Sequence, residues 1–362
     1  MPIVVDFSTL PDLYKKLANK YQYTEKTAFA RKKSPSEPYS TLTWDDAQAD
    51  ITALACYLHD FGIRKGDRVA ILSENRYEWV VVDLAMQLLG AINVSLYTTL
   101  PPKQCEFILR DSGAKIFFVS TNLQLKKAVE VFDDCPELKH IVAFDTPKTQ
   151  GLLEREYVSL LDNVLAEGAR LEESLSGAVE EASRQVLPED VATLIYTSGT
   201  TGNPKGAMLT HDNICTNVKA AHKVIDISEQ DRSLSFLPLC HSFERTGGYY
   251  AMIAAGAEIY YAESVDTVAK NLTEAHPTIV ISVPRLFERI HGTITKSVNQ
   301  AGGLRKKIFH WALGVGEHYA AGKRGLVSVQ KSLADKLVFG KLKERTGGRV
   351  RFFVSGGAAL PP

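Results

Sequence analysis

The chain has 362 residues, enough to bury a large core. Its composition is globular, with 45% hydrophobic, 23% charged and 9% aromatic residues, and 42 basic residues balance 42 acidic ones, so the overall charge points away from nucleic acid. Five scattered cysteines, Cys56, Cys105, Cys135, Cys215 and Cys240, form no C-x-x-C pair, which predicts a reducing compartment and argues against a disulfide framework or a zinc site. 

The first residues, Met1 to Asp6, lack the basic region and long apolar core of a signal peptide. The segment up to Pro38 has weak periodicity. Thr43-Trp44-Asp45-Asp46 reads as a capped helix start, with Ala47, Ile51, Leu54, Ala55 and Leu58 on one face and Gly62 as the stop. Strands and helices then alternate. Strands are expected at Arg68–Ser73, Ala91–Tyr97, Ala114–Ser120 and His140–Phe144, and helices at Tyr77–Leu88, Lys103–Ser112 and Leu123–Asp133. No stretch reaches the ~18 uninterrupted apolar residues of a membrane span. The nearest, Val80 to Tyr97, is broken by Asp83, Gln87, Gly90 and Asn93. Near-continuous apolar strands alternating with helices imply an α/β fold with mostly parallel sheet covered by helices.

Residues 152 to 190 carry ten acids against three arginines and read as a solvated helical connection. The apolar run Val191 to Ile195 follows, and then Tyr196-Thr197-Ser198-Gly199-Thr200-Thr201-Gly202-Asn203-Pro204-Lys205-Gly206, with Thr210-His211-Asp212-Asn213 as a helix start. A buried strand, a loop of glycines, hydroxyls and a lysine, then a helix, is suited to holding phosphate. Glycine lets the backbone approach closely, hydroxyls and N–H groups donate, and lysine adds a point charge. The spacing is neither the Walker G-x4-G-K-[ST] nor the dinucleotide G-x-G-x-x-G.

Beyond the loop, helices are expected at Asp212–Val224, Phe243–Ala255, Val265–Ala275 and Pro284–Val298, with strands at Ser233–Leu237, Glu258–Ala262, Thr278–Val283 and Val350–Val354. Residues 300 to 349 form a basic insertion of eleven lysines and arginines against three acids. Leu304, Ile308, Trp311, Ala312 and Val315 fall on one helical face there, which core packing explains better than ligand contact.

The loop from Tyr196 to Gly206 resembles, almost letter for letter, the phosphate loop of the adenylate-forming (AMP-binding) enzymes: acyl-CoA synthetases, luciferases and peptide-synthetase adenylation domains. Leu237-Pro238-Leu239-Cys240-His241-Ser242-Phe243-Glu244 resembles the segment that sets a histidine beside the carboxylate substrate. Val283-Pro284-Arg285-Leu286-Phe287-Glu288 and the insertion around Phe309 to Gly316 resemble long-chain fatty acyl-CoA synthetases, and Ser355-Gly356-Gly357-Ala358 resembles the turn on which adenine packs. The four motifs stand in the family's order.

The resemblance implies the large N-terminal domain of such a synthetase: two similar αβ sublobes at 1–187 and 188–362, the second carrying the phosphate loop. It implies ATP, Mg²⁺ and coenzyme A as partners of a long-chain fatty acid. Thr197, Ser198, Gly199, Thr200, Thr201, Gly202, Asn203, Pro204 and Lys205 would hold phosphate, with Thr200 also a metal ligand. Lys205, Thr200 and His241 would act in catalysis, and Gly356, Gly357 and Ala358 would hold adenine. His241, Ser242, Gly247, Gly248 and Arg285 would meet the acid. Two alternatives stay open: Gly247 and Gly248 serve close packing or clearance for an acyl chain, and Arg285 contacts the site or only starts a helix. A cytoplasmic protein is expected, with the basic insertion 300–349 touching the inner face of a membrane. The family's Mg²⁺-ligand glutamate, ribose aspartate, hinge and C-terminal catalytic lysine do not occur before Pro362, so these residues are expected to be an inactive N-terminal fragment. The rival readings are an aryl- or medium-chain ligase and a non-catalytic nucleotide- or lipid-binding module.

Overall fold

The computed structural model describes residues 4–197 and 204–360. They form two compact units, one of Met1–Gln230 with Ser235–Ser264 and one of Asp231–Leu234 with Val265–Pro362.

Unit one opens with α1 (Leu10–Tyr21), β1 (Thr27–Arg31) and β2 (Ser40–Thr43), in a stretch whose weak periodicity gave no expectation. Helix α2 (Trp44–Asp60) starts where expected, because Thr43 and Asp46 form a reciprocal capping box. The alternation then follows as β3 (Arg68–Leu72), α3 (Tyr77–Leu88), β4 (Ile92–Leu96), α4 (Pro102–Ser112), β5 (Ile116–Val119), α5 (Asn122–Val131) and β6 (His140–Ala143). Gly113 ends α4 at φ +63°, a left-handed conformation that glycine adopts without penalty. The acidic connection is β7 (Val158–Leu160) and the long helix α6 (Leu161–Arg184). After β8 (Val191–Thr197) come β9 (Lys205–Thr210) and α7 (His211–Val224). Beyond β10 (Arg232–Ser235), most of which belongs to unit two, come a π-helical turn at Glu244–Tyr250, α8 (Ala251–Ala254) and β11 (Glu258–Tyr261).

The main sheet has the order β7-β6-β5-β3-β4-β8-β9. Its neighbours are parallel up to β8, and β9 returns antiparallel. Its central strands are buried, as their unbroken apolar runs require. Unit one also pairs β1 with β11 in parallel and with β2 in antiparallel. Unit two holds α9 (Val268–Ala275), β12 (Ile279–Ser282), α10 (Pro284–Ala301), α11 (Gly303–Ala320), α12 (Leu326–Ala334), a π turn at Asp335–Phe339, α13 (Gly340–Arg345) and β13 (Phe352–Ser355). There β12 lies between β10 and β13, parallel to both.

Two features differ from the sequence expectation. The loop at 198–204 joins two antiparallel strands, not a strand to a helix. Lys205 to Thr210 is a short, largely exposed edge strand, so it lacks the apolar alternation that would have betrayed it. The helix start at Thr210 is real, with Thr210 and Asn213 forming a capping box, but Thr210 is also the last residue of the six-residue strand that follows the loop. The expected boundary at 187/188 falls inside unit one, because β8 and β9 complete the sheet begun by β3 to β6. No helix among the described residues is long and apolar enough to cross a membrane.

Helices α2 and α6 pack closely at Gly168, where an added Cβ would lie 1.9 Å from the Ala53 carbonyl oxygen. Gly177, on the same helix, has nothing within 4 Å. Gly168→Ala is therefore expected to destabilise the chain by about 1–3 kcal/mol through overpacking. Gly177→Ala should stabilise it by up to ~1 kcal/mol through helix propensity. Urea denaturation of the two variants checks both signs, and equal shifts would contradict the close approach.

Candidate active site

The loop's two feet are well placed. Thr197 ends β8 and pairs across the ladder with Lys205, which starts β9. Both are exposed, and Pro204 is half-buried. Ser198, Gly199, Thr200, Thr201, Gly202 and Asn203 lie outside the described residues. At Gly206 the Tyr196 ring sits where a side chain would begin, with Cζ 3.1 Å from an added Cβ.

The strand feeding the loop rests on a buried polar network. Asp83 on α3 accepts hydrogen bonds from Arg245 Nη2 at 2.5 Å, Tyr250 Oη at 2.6 Å and Asn93 Nδ2 at 2.7 Å. Arg245 Nη1 also donates to Thr193 Oγ1 on β8 at 2.7 Å, and Thr193 Oγ1 donates to the Asn93 carbonyl at 2.8 Å. Gln87 Nε2 donates to the Ala192 carbonyl at 3.2 Å. The Arg245 guanidinium lies 5.1 Å from the Trp79 ring centroid. Asp83 and Arg245 are 0% and 1% exposed, so each charge is stabilised by the other and by its hydrogen bonds instead of by water. Asp83, Gln87 and Asn93 had shown in the sequence only as interruptions of an apolar run. Polar residues inside such a run were the available signal.

The histidine segment leads into the π turn that carries Arg245. His241 N–H donates to the Pro238 carbonyl at 2.9 Å, and Phe243 N–H donates to His241 Nδ1 at 3.1 Å. With Nδ1 an acceptor, the ring proton sits on Nε2. His241 and Ser242 are exposed and line a cavity of about 500 Å³. The wall also includes Thr197 and Pro204, but not Lys205, and the apolar side chains of Leu96, Leu100, Ile108 and Ile195. The cavity therefore joins hydrogen-bonding groups to an apolar wall, at the carboxyl ends of β4 and β8, where parallel α/β sheets commonly bind ligands.

Gly248 has its own explanation. An added Cβ there would lie 2.3 Å from Glu244 Oε1, so the glycine makes room for a carboxyl group, and the packing alternative describes it. Glu244 is buried; it accepts from Ser235 Oγ at 2.7 Å, while Oε2 has no hydrogen-bond partner. Burial pushes its carboxyl up to about 8. Gly247, one residue earlier, is only half-buried.

In unit two, Arg285 is exposed in the first turn of α10, after β12. The glycine turn follows β13, the strand next to β12. Gly356 N–H donates to the Ser282 carbonyl at 3.1 Å, and Gly357 has φ +79°. Arg285 and Gly356 to Ala358 thus follow the carboxyl ends of neighbouring parallel strands. No cluster of three or more His, Cys, Asp or Glu side chains suited to a metal occurs among the described residues. Thr200, the expected Mg²⁺ ligand, lies outside the described residues.

The AMP-binding enzyme family model matches residues 17–362. The chain belongs to that family. It is 33% identical over 340 residues to the long chain acyl-CoA synthetase 7, peroxisomal, of Arabidopsis thaliana, covering 90% of this chain and 45% of the relative. It is 34% identical over 331 residues to fatty acyl-CoA synthetase A of Dictyostelium discoideum, covering 90% of this chain and 47% of that one. The chain thus spans about half the length of the curated relatives it matches. The adenylation domain of a carboxylate reductase from Mycobacterium chelonae shares the fold, at a TM-score of 0.76 and 23% identity over 98% of this chain and 54% of that one.

The unpaired Glu244 carries a pH dependence. Its folded-state pKa of about 8 lies above the ordinary value of 4.5, so between those values the unfolded chain releases a proton that the folded chain keeps. Stability from this group therefore falls as pH rises from 4.5 towards 8. Glu244→Gln should remove that slope, and urea midpoints measured at pH 5, 6.5 and 8 give the comparison. Parallel pH curves for the two proteins would contradict a neutral Glu244.

Proposed function

We propose that this chain supplies the ATP- and acyl-binding half of a ligase that activates a long-chain fatty acid and passes it to coenzyme A. The observation that carries the reading is the cavity bordered at once by Thr197 and Pro204, by His241 and Ser242, and by apolar side chains. A carboxylate is a poor electrophile. Its attack on the α-phosphorus of ATP forms an acyl-adenylate and expels pyrophosphate. The coenzyme A thiolate then attacks the acyl carbon, AMP leaves, and a thioester remains. Lys205 and the hydroxyls of the loop would hold the β- and γ-phosphates, each charge-assisted hydrogen bond contributing ~1.5–3 kcal/mol. The Nε2–H of His241 is a donor suited to a carboxylate oxygen. Gly356 to Ala358 would pack against adenine, and Mg²⁺, when bound, would neutralise phosphate charge.

The similarity to a long chain acyl-CoA synthetase and to a fatty acyl-CoA synthetase favours a long acid. About fourteen buried methylenes at ~0.8 kcal/mol each would contribute roughly 11 kcal/mol before ordering costs. The rival is another adenylating enzyme for aryl or shorter acids. In the complete protein, exchange of labelled pyrophosphate into ATP should depend on fatty acids and rise with chain length across a panel of acids. Lys205→Ala should slow that exchange at least tenfold with the chain-length order unchanged. Exchange driven by aryl acids alone would favour the rival, and a normal rate in Lys205→Ala would remove the lysine from the site.

The reading includes a cytoplasmic protein with a membrane contact. Helix α12 and the π turn after it expose Leu326, Val329, Leu333 and Leu337, at spacings that share one helical face. Lys323, Arg324 and Lys336 are exposed nearby in sequence, as are Arg305, Lys306 and Lys307 on α11. An apolar stripe among basic residues suits an anionic lipid surface. Cosedimentation with phosphatidylserine vesicles should drop severalfold on reversing the charges of Arg305, Lys306 and Lys307. Unchanged binding would leave these residues as solvated surface.

A further inference from the structure

We propose that Asn75 is the positioning residue for His241: its amide fixes the segment that carries the histidine into the cavity. Asn75 lies in the turn between β3 and α3. Its Nδ2 donates to the Leu237 carbonyl and to Ser235 Oγ, the latter at 3.0 Å, while its Oδ1 accepts from Leu239 N–H at 3.0 Å. One planar amide thus bridges a carbonyl and an N–H two residues apart, on either side of Pro238. Proline has no N–H of its own to offer, so the segment draws these bonds from outside.

The bridge stands on a rigid base. Glu74, before Asn75, accepts from Ser120 Oγ and, at 3.3 Å, from Gln124 Nε2. Arg76, after it, donates to Glu78 at 2.6 Å and to Asp145 at 2.9 Å. On the other side, Leu239 and Cys240 are 1% and 5% exposed, so they anchor the chain immediately before the exposed His241. The Pro238 carbonyl, fixed between the two Asn75 contacts, then accepts from His241 N–H at 2.9 Å. Asn75 also reaches the buried carboxyl of Glu244 through Ser235, whose hydroxyl accepts from Asn75 and donates to Glu244. The fixed amide therefore governs both the approach to His241 and the turn that follows it. Its effect on turnover rests on the ligase reading; its effect on the imidazole does not.

The test uses the complete protein with Asn75→Ala and with the isosteric Asn75→Asp, which keeps an acceptor for Leu239 N–H but loses the donor to Leu237. Both variants should lower kcat/KM for the fatty acid at least tenfold in pyrophosphate exchange, with the KM for ATP within twofold. Adding His241→Ala to either should cost little further, because both changes remove the same contact. Losses that multiply, or an equal rise in the KM for ATP, would overturn the proposal. The second measurement needs no turnover. Nitrogen-15 spectra should show His241 as the Nε2–H tautomer in the parent and as a mixture in both variants. An unchanged His241 signal in a folded variant would overturn the proposal even if no carboxylate supports exchange in the parent, a result that would sink the ligase reading separately.

Discussion

The ion pair between Asp83 and Arg245 is the constraint on which the rest of unit one depends. Neither residue reaches water, and burying an unpaired charge is far more costly than burying a matched one. The two terminal nitrogens of Arg245 keep their partners only while helix α3, strand β8 and the π turn stay in register, since their bonds run to Asp83 and Thr193. Asp83 in turn needs Asn93 on β4 and Tyr250 in the π turn. Removing one member of such a pair typically costs about 3–5 kcal/mol, whereas replacing both by apolar groups is often neutral. The pair therefore adds more to specificity of arrangement than to net stability. It ties β8, the strand that leads into the glycine-rich segment, to the turn that follows His241.

Around that pair the π turn resolves a packing conflict. Glu244 points a carboxyl into the core one residue before Arg245, and Gly248 leaves the space it occupies. A π turn is a costly way to carry a chain and is found mostly at functional sites. Here it places the two adjacent charged side chains in separate environments: one is paired, and the other is held neutral by burial. The cavity wall is thus assembled from the carboxyl ends of two strands and the bridged segment at His241, which leads into this turn.

Much of this was legible in the sequence, and the exceptions have physical causes. The parallel core from β3 to β6 was readable because strands buried on both faces must be apolar throughout. The capping box at Thr43 fixed the start of α2 for the same reason it stabilises it. Helix α1 and strand β1 were missed because their burial is decided by partners far along the chain: β1 pairs with β11. Strand β9 was missed because an exposed edge needs no apolar pattern. Among the candidate site residues, the motif resemblance picked out His241, Ser242, Thr197 and Pro204, which border one cavity. It gave no hint of Asn75, whose importance lies in contacts more than 160 positions away. Gly248 was ambiguous in the sequence because a glycine shows only that something is close, not what.

The ladder between β8 and β9 contains one irregularity, between Val191 and Thr193. Val191 pairs with Thr210, but Thr193 pairs with Leu209, so Ala192 is an extra residue on β8. Residues directly opposite in a ladder share a face. The extra residue is what sets Thr197 opposite Lys205 and Tyr196 opposite Gly206. With Ala192 paired in the ladder instead of bulged out, Lys205 would stand opposite Tyr196 and pass to the other face relative to β8. The side on which the lysine's charge is presented is thus decided by parity, at the far end of the strand and not in the glycine loop. A one-residue slip of register at the base of β8 would invert that polarity without changing any residue of the loop.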